Sequence, residues 1–481
     1  MSKLTSMVFS VVAVSVLSAC SSHYSENEHI KQPKNVPIEW QSDFKAALTE
    51  STERSQSLSI LSNQQLRDFL VYALETNFNL KQEFLSLQQK RQALTVANSA
   101  LWPSIEAGLS ARRTKAEEGS IGNKFEAGLD IRYELDLWQK LSDAEQQAQL
   151  AYLAAEASFE QAKQTLIANV ITAWFDVIES NRLLELAKQR VELTKQSLDI
   201  IERGYQQGLN EALDVYLARN DFNTEVSRLS QQKATQQTAI RALQRLSSDY
   251  PTGQFELDSE LPSYQLESLS VVPSDLVENK PSLQASWYEL MAQNANLAFV
   301  HKKRYPSFVI TGSIGDEGQK LRDLFDGSGL VWSLLGNLTA PIFNAGQLKA
   351  NEETARLQLK QAEQRYLDNL YQSFETVENR ITDAVSLEQR YRAILDAKYN
   401  AQMAAELSFG QYQSGLVTYT TVLNAQARAF DAETSAVQLH KQLLVNHVQL
   451  QLALGKTPQF NQQNELAVNS QLQPQLQKDE E

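Results

Sequence analysis

The sequence predicts a mainly α fold with a small β part. Long coiled-coil helices, repeated in tandem, form an α-barrel, and four strands per chain enter a shared transmembrane β-barrel. Three observations lead there. Two very long spans lack helix breakers: no proline lies between Pro103 and Pro251 or between Pro341 and Pro458, and no glycine between Gly128 and Gly204 or between Gly346 and Gly410. Landmarks in the first half recur in the second at an offset near 207 residues. Two pairs of short runs alternate apolar and polar residues, each pair just before a long span.

The first 19 residues stand apart. Lys3 supplies a positive start, Val8 to Leu17 is apolar apart from serines, and small residues lead into Cys20. That is the build of a secretory signal, and it is too short to cross a membrane as a helix. Cys20 is the only cysteine among 481 residues, so no intrachain disulfide can form. Loss of Lys3 with the signal moves the formal charge from −14 to −15. So acidic a chain is a poor partner for nucleic acid. No later apolar run approaches the length of a spanning helix, so a membrane crossing requires a closed β-barrel.

From Gln139 to Gln206, apolar or small residues recur at Leu141, Ala144, Ala148, Tyr152, Ala155, Phe159, Ala162, Leu166, Val170, Ala173 and Val177, and on to Ile201 and Tyr205. Steps of three and four mark a coiled-coil seam. Roughly 68 residues at ~1.5 Å each reach about 100 Å. Gln347 to Gln413 gives nearly the same length. Each long helix ends in a matching turn, Tyr205-Gln206-Gln207-Gly208-Leu209 and Tyr412-Gln413-Ser414-Gly415-Leu416, whose glycine suits a left-handed helix cap. A half-length helix follows each turn, Glu211 to Ser247 and Thr418 to Leu454. The first of these, plus Ser274 to Arg304, matches one long helix in length. Two half-helices stacked end to end therefore span the same distance as one long helix.

The strands alternate with period two. Phe125, Ala127, Leu129, Ile131, Tyr133, Leu135 and Leu137 interleave with Lys124, Glu126, Gly128, Asp130, Arg132, Glu134 and Asp136. Ile105 to Arg112, Pro306 to Ile314 and Leu330 to Phe343 complete two hairpins. Charged residues on one face suit a water-filled transmembrane barrel. Four strands cannot close such a barrel, whereas three copies supply twelve. The organisation is thus 1–19 signal, 20–61 N-terminal segment, 62–246 repeat one, 247–272 linker, 273–454 repeat two and 455–481 tail.

The double repeat, the Tyr-x-x-Gly-Leu turns and the strand exits Tyr133-Glu134-Leu135-Asp136-Leu137-Trp138 and Pro341-Ile342-Phe343-Asn344-Ala345-Gly346 resemble the TolC-like outer membrane factors. Leu17-Ser18-Ala19-Cys20 resembles the lipobox of the lipoprotein branch of that family. The resemblance implies lipidation at Cys20 and a homotrimer in the outer membrane of a Gram-negative bacterium, extending into the periplasm. It also implies a periplasmic adaptor protein, an inner-membrane pump and passive efflux of small molecules. A duct for protein secretion would have the same fold and differ only in its partner. A periplasmic adaptor or stalk would explain the helices and the anchor but not the four charged-face strands.

Site expectations follow. Tyr205, Gly208, Leu209, Tyr412, Gly415 and Leu416 form the periplasmic tips, where the adaptor docks. Asp214 sits at the lumen entrance, with the neutral Thr421 and Asn424 at the matching places of repeat two. Tyr412 is placed to hydrogen-bond Asp214 across the tips. Trp102, Tyr133, Trp138, Tyr305, Trp332 and Phe343 lie at or in the strands, as an interfacial girdle or as packing at the helix–barrel joint. No nucleophile elbow, phosphate loop or His-Glu-x-x-His motif is present. The reading is a non-enzyme without catalytic, cofactor or metal residues; His440 and His447, seven apart, are not spaced with other ligands for zinc.

Overall fold

The computed structural model describes residues 40–41, 63–115, 121–257, 260–263, 273–324 and 329–456. Cys20 and the signal lie outside them. The elements, in order, are α1 (Gln64–Thr76), α2 (Phe78–Ser99), β1 (Ser104–Lys115), β2 (Ile121–Leu135), α3 (Lys140–Gln206) and α4 (Ala212–Leu246). Then come α5 (Pro273–Asn279), α6 (Pro281–Lys302), β3 (Ser307–Gly318), β4 (Leu330–Thr339), α7 (Gln347–Gln413) and α8 (Tyr419–Ala453). Both long helices have 67 residues and both helices after the turns have 35. No helix among the described residues is long and apolar enough to cross a membrane.

The other two half-length helices are each broken once. Pro281 has no N–H to continue α5, so α6 restarts at it. Asn77 breaks the first pair by capping. Its Oδ1 accepts from Leu80 N at 2.9 Å, and its Nδ2 donates to Leu246 O at 2.8 Å. An asparagine that satisfies the orphan donors of a new helix fixes the break at that residue.

The chain divides into two compact units. Leu85–Ser158 and Ser282–Asn369 lie in the first, with all four strands. They form one antiparallel sheet in the order β1-β2-β3-β4, so the two expected hairpins are joined by a β2–β3 ladder. The register puts Ile105 opposite Ile131, Leu129 opposite Ile314, and Ile314 opposite Trp332. Directly paired residues share a face. One face therefore carries Leu109, Phe125, Ile131, Ile310, Leu334 and Leu338. The other carries Glu106, Glu126, Asp130, Arg132, Ser313 and Asn337. Gly128 and Gly315 meet back to back; a Cβ on Gly315 would lie 2.5 Å from Ala127 O. Below the sheet, Leu290 and Leu297 of α6 pack on Ala355, Leu359 and Tyr366 of α7, with Trp287 edge-on to Tyr366 at 5.4 Å.

The second unit holds Phe159–Pro281 and the chain from Leu370 onward. Its core joins Leu66 and Leu70 of α1, Ile167, Ile171, Trp174 and Val177 of α3, Leu243 of α4, and Leu444 and Val448 of α8. Phe69 and Phe255 of the linker flank the Trp174 ring at 5.9 and 5.8 Å. The seam read from the sequence is buried here: Val170 and Val177 are fully enclosed.

Candidate functional site: the helical turns and the sheet

Both turns close in the same way. Gly208 N donates to Tyr205 O (3.0 Å) and Leu209 N to Gly204 O (2.8 Å). Gly415 N donates to Tyr412 O and Leu416 N to Gln411 O, both at 2.9 Å. This is the Schellman pair of bonds, which requires a left-handed residue. Gly208 and Gly415 supply it, with φ of 75° and 72°.

In most such caps the residue after the glycine packs back on the last helical turn. Here the positions it would cover are Arg203 and Gly204 in one turn and Gly410 and Gln411 in the other, none of them a large apolar side chain. Leu209 and Leu416 remain 76% and 74% exposed. Leu213, Tyr216 and Tyr205 beside the first turn are exposed as well. The glycines are thus fully explained by backbone geometry, and the leucines are not explained by capping.

Beneath the turns, Ile201, Val215, Ala218, Tyr419 and Val422 form a small core. Tyr412 and Tyr419 pack ring on ring at 5.4 Å. The Tyr412 hydroxyl donates to Asp214 Oδ2 at 3.1 Å, the contact expected from the sequence. Burial and that hydrogen bond push the Tyr412 phenol up to about 12, and burial pushes Tyr419 up as well. Tyr412 is therefore a permanent donor at neutral pH. Asp214 lies in the first turn of α4, where the helix dipole favours a carboxylate. Thr421 and Asn424 are exposed, and Thr421 shares a hydrogen bond with Thr418 (3.2 Å).

Sequence reasoning did not find Tyr419, nor two polar links around the first turn. Asn210 Nδ2 donates to Ile201 O at 3.1 Å, in a space that a side chain on Gly204 would fill. Arg219 binds Glu202 at 2.7 Å. It also missed a buried charge centre further along the helices. Arg190 of α3 donates to Phe430 O and to Thr434 Oγ1 of α8 and lies 4.4 Å above the Phe430 ring. Glu225 of α4 is buried and held by Arg228 at 2.5 Å, while burial and the Glu225 charge push the nearby Asp221 carboxyl up. An arginine beside a coiled-coil seam reads in sequence as a solvated face, because the periodicity does not show which carbonyl it meets.

The aromatic residues near the strands separate. Trp138 belongs to the joint: its Nε1 donates to Pro306 O at 2.7 Å and its ring meets Tyr305 edge-on at 5.6 Å. His301 continues that joint, bridging Glu352 and Tyr305 at 3.1 Å each, with Arg304 on Glu352 at 2.8 Å. Trp332 stands exposed in the apolar row of β4. Trp102 and Phe343 are exposed at the two ends of the sheet order. His440 serves the fold: it reaches Pro262 O at 3.0 Å, stacks on Tyr391, and is driven toward its neutral form by burial.

Comparison with known proteins gives one consistent answer. The model of the family described as outer membrane efflux protein matches residues 70–248 and 272–456, the two repeats. A probable efflux pump outer membrane protein of Pseudomonas putida, SepC, is 28% identical over 469 residues, covering 92% of this chain and 95% of that one. A probable outer membrane lipoprotein of Salmonella typhimurium, SilC, is 24% identical over 457 residues, covering 93% and 98%. The crystal structure of a membrane protein from Pseudomonas aeruginosa superposes with a TM-score of 0.81 at 23% identity, covering 90% of this chain and all of that one.

Proposed function

This chain belongs to the outer membrane efflux protein family, and from that premise we propose that three copies close one duct, lipid-anchored at Cys20, which receives small molecules at its helical turns. The family fixes the coarse role: an outer-membrane exit channel of efflux pumps. The finer reading concerns copy number, anchor, entrance and partners.

The observation that carries it is the four-stranded sheet. One face is mainly apolar and the other bears most of the charges, and among the described residues β1 and β4 have no strand partner on their outer sides. Hydrocarbon supplies no hydrogen bonds, so both open edges must pair with other strands. Pairing β4 of one copy with β1 of the next preserves the direction and the faces. Three copies give twelve strands, with the apolar rows toward lipid and the charged rows around water. Cys20 lies 20 positions before Trp40, which meets Phe374 edge-on, with Gln41 N donating to Glu378 Oε1 (2.7 Å). Two or more acyl chains on Cys20 hold it stably in the membrane leaflet.

The exposed Leu209 and Leu416 support the partner reading. Two leucines held outward on rigid caps are anchors for the apolar tips of a periplasmic adaptor, which in turn couples to an inner-membrane pump. Asp214, locked to Tyr412, restricts the entrance between the turns, while Thr421 and Asn424 leave the second repeat uncharged there. Planar-bilayer recording of the purified protein tests the duct directly. Discrete channels are expected, and no channels under any voltage or salt condition would refute it.

A further inference from the structure

The tandem repeat makes a contact inside one chain that has no counterpart among the described residues. At the β2–β3 junction, the residue leaving β2 packs on the residue entering β3. Trp138 meets Tyr305 at 5.6 Å and donates to Pro306 O at 2.7 Å. Tyr305-Pro306-Ser307 is the repeat-two counterpart of Trp102-Pro103-Ser104 at the entry to β1. Trp102 therefore occupies the place of Tyr305, yet among the described residues no strand exits beside it. β1 is an edge of the sheet.

The missing exit is that of β4, the other edge. Just past Thr339, Ile342 and Phe343 are 93% and 89% exposed, and Trp102 is 70% exposed. These are among the most exposed large apolar side chains of the strand-bearing unit. Strand direction places them alike: β1 begins and β4 ends at the sheet end that joins the helices. We infer that Trp102 of each copy clasps Phe343, with Ile342, of the next copy, so that three such contacts ring the joint between strands and helices. The inference rests on the multi-copy barrel proposed above and names the surface that closes it.

Register sharpens it. The apolar row of β4 ends at Leu338 and that of β1 begins at Ile105. Pairing Thr339 with Ser104 of the next copy keeps apolar rows together, whereas a one-residue slip would turn an apolar row into the lumen. The flush register brings Pro341 opposite Trp102, and a two-residue slip brings Phe343 there. Two strand residues span about 7 Å, within the reach of an indole and a benzyl group. A lipid girdle is the rival occupant of the same side chains. It gives no reason for their gathering at the two unpaired edges, while at the paired junction the aromatic that follows β2, Trp138, and the one that precedes β3, Tyr305, pack on each other.

The test uses the full-length protein in its own membrane. A photoreactive benzoylphenylalanine replaces Trp102, an aromatic of similar bulk, and the irradiated protein is separated under denaturing conditions. Adducts two and three chains in size, mapped by mass spectrometry to the peptide holding Ile342 and Phe343, are expected. Trp102→Cys with Phe343→Cys, bridged by a short bismaleimide, should give the same ladder. Either single variant should stay at one chain or fall at least tenfold in yield. Native mass spectrometry of the unsubstituted protein reads the copy number separately. Trimers whose Trp102 probe labels only lipid, or only its own chain, overturn the clasp and leave the barrel reading intact. A protein that is not oligomeric at all overturns both.

Discussion

Removing the Tyr412 hydroxyl tests the entrance most directly. In Tyr412→Phe the ring still fills its place against Tyr419, but the 3.1 Å bond to Asp214 is lost. A hydrogen bond to a charged acceptor contributes about 1.5–3 kcal/mol when buried, and partial exposure brings this one toward ~1 kcal/mol. In the proposed entrance, three copies acting together then bias the closed form by about 3 kcal/mol, a factor of roughly 150 in the ratio of closed to open. The assay is single-channel recording of Tyr412→Phe and Asp214→Ala beside the unsubstituted duct. Both variants should spend far more time open, and Asp214→Ala should also lose cation preference, because it removes a ring of carboxylates. pH gives an independent reading with a defined sign. The Tyr412 phenol is raised from 10.0 to about 12, so its contribution is fully present below pH 10 and is lost as pH rises through about 12. Open time should climb across that window in the unsubstituted duct and stay flat in Tyr412→Phe. If both variants keep the original conductance and selectivity, Asp214 is a solvated surface acid and the entrance argument collapses.

Other perturbations separate docking from folding. Leu209→Glu combined with Leu416→Glu should abolish pump-dependent resistance while leaving the usual amount of oligomer in the membrane; unchanged resistance would remove the leucines from docking. Gly315→Val places side-chain atoms where a Cβ alone already lies 2.5 Å from Ala127 O. The β2–β3 ladder should open, and heat-resistant oligomer should be absent from membrane fractions. Arg190→Ala strips the buried Glu225 region of a positive neighbour and Phe430 O of its side-chain donor. Loss of about 3 kcal/mol is expected, seen as a lower melting temperature. Trp174→Ala empties the centre of the larger core and should cost about 3–5 kcal/mol in the same measurement.

Much of the fold was legible in the sequence because it is written in periodicities. The three-and-four spacing from Leu141 to Ile201 specifies one unbroken helix regardless of its neighbours. The glycines at 208 and 415 end the two long helices because only a residue tolerant of positive φ completes the cap. Alternation in Lys124 to Leu135 fixes which side chains share a face of a strand.

What sequence could not settle were matters of long-range geometry. Both hairpins were visible, but their union through β2 and β3 depends on a ladder between residues 173 to 193 positions apart, from Leu135↔Phe308 to Phe125↔Gly318. The fate of the aromatic residues was open for the same reason. Trp138 finds Pro306 O and becomes part of the joint, whereas Trp102, just before the edge strand β1, stays exposed among the described residues. Composition treats the two tryptophans alike. Arg190 likewise reads as one more surface charge until α8 brings the Phe430 carbonyl to it. Periodicity is a property of the local backbone and survives in a single line of text. Partnership between distant side chains exists only once the chain has folded.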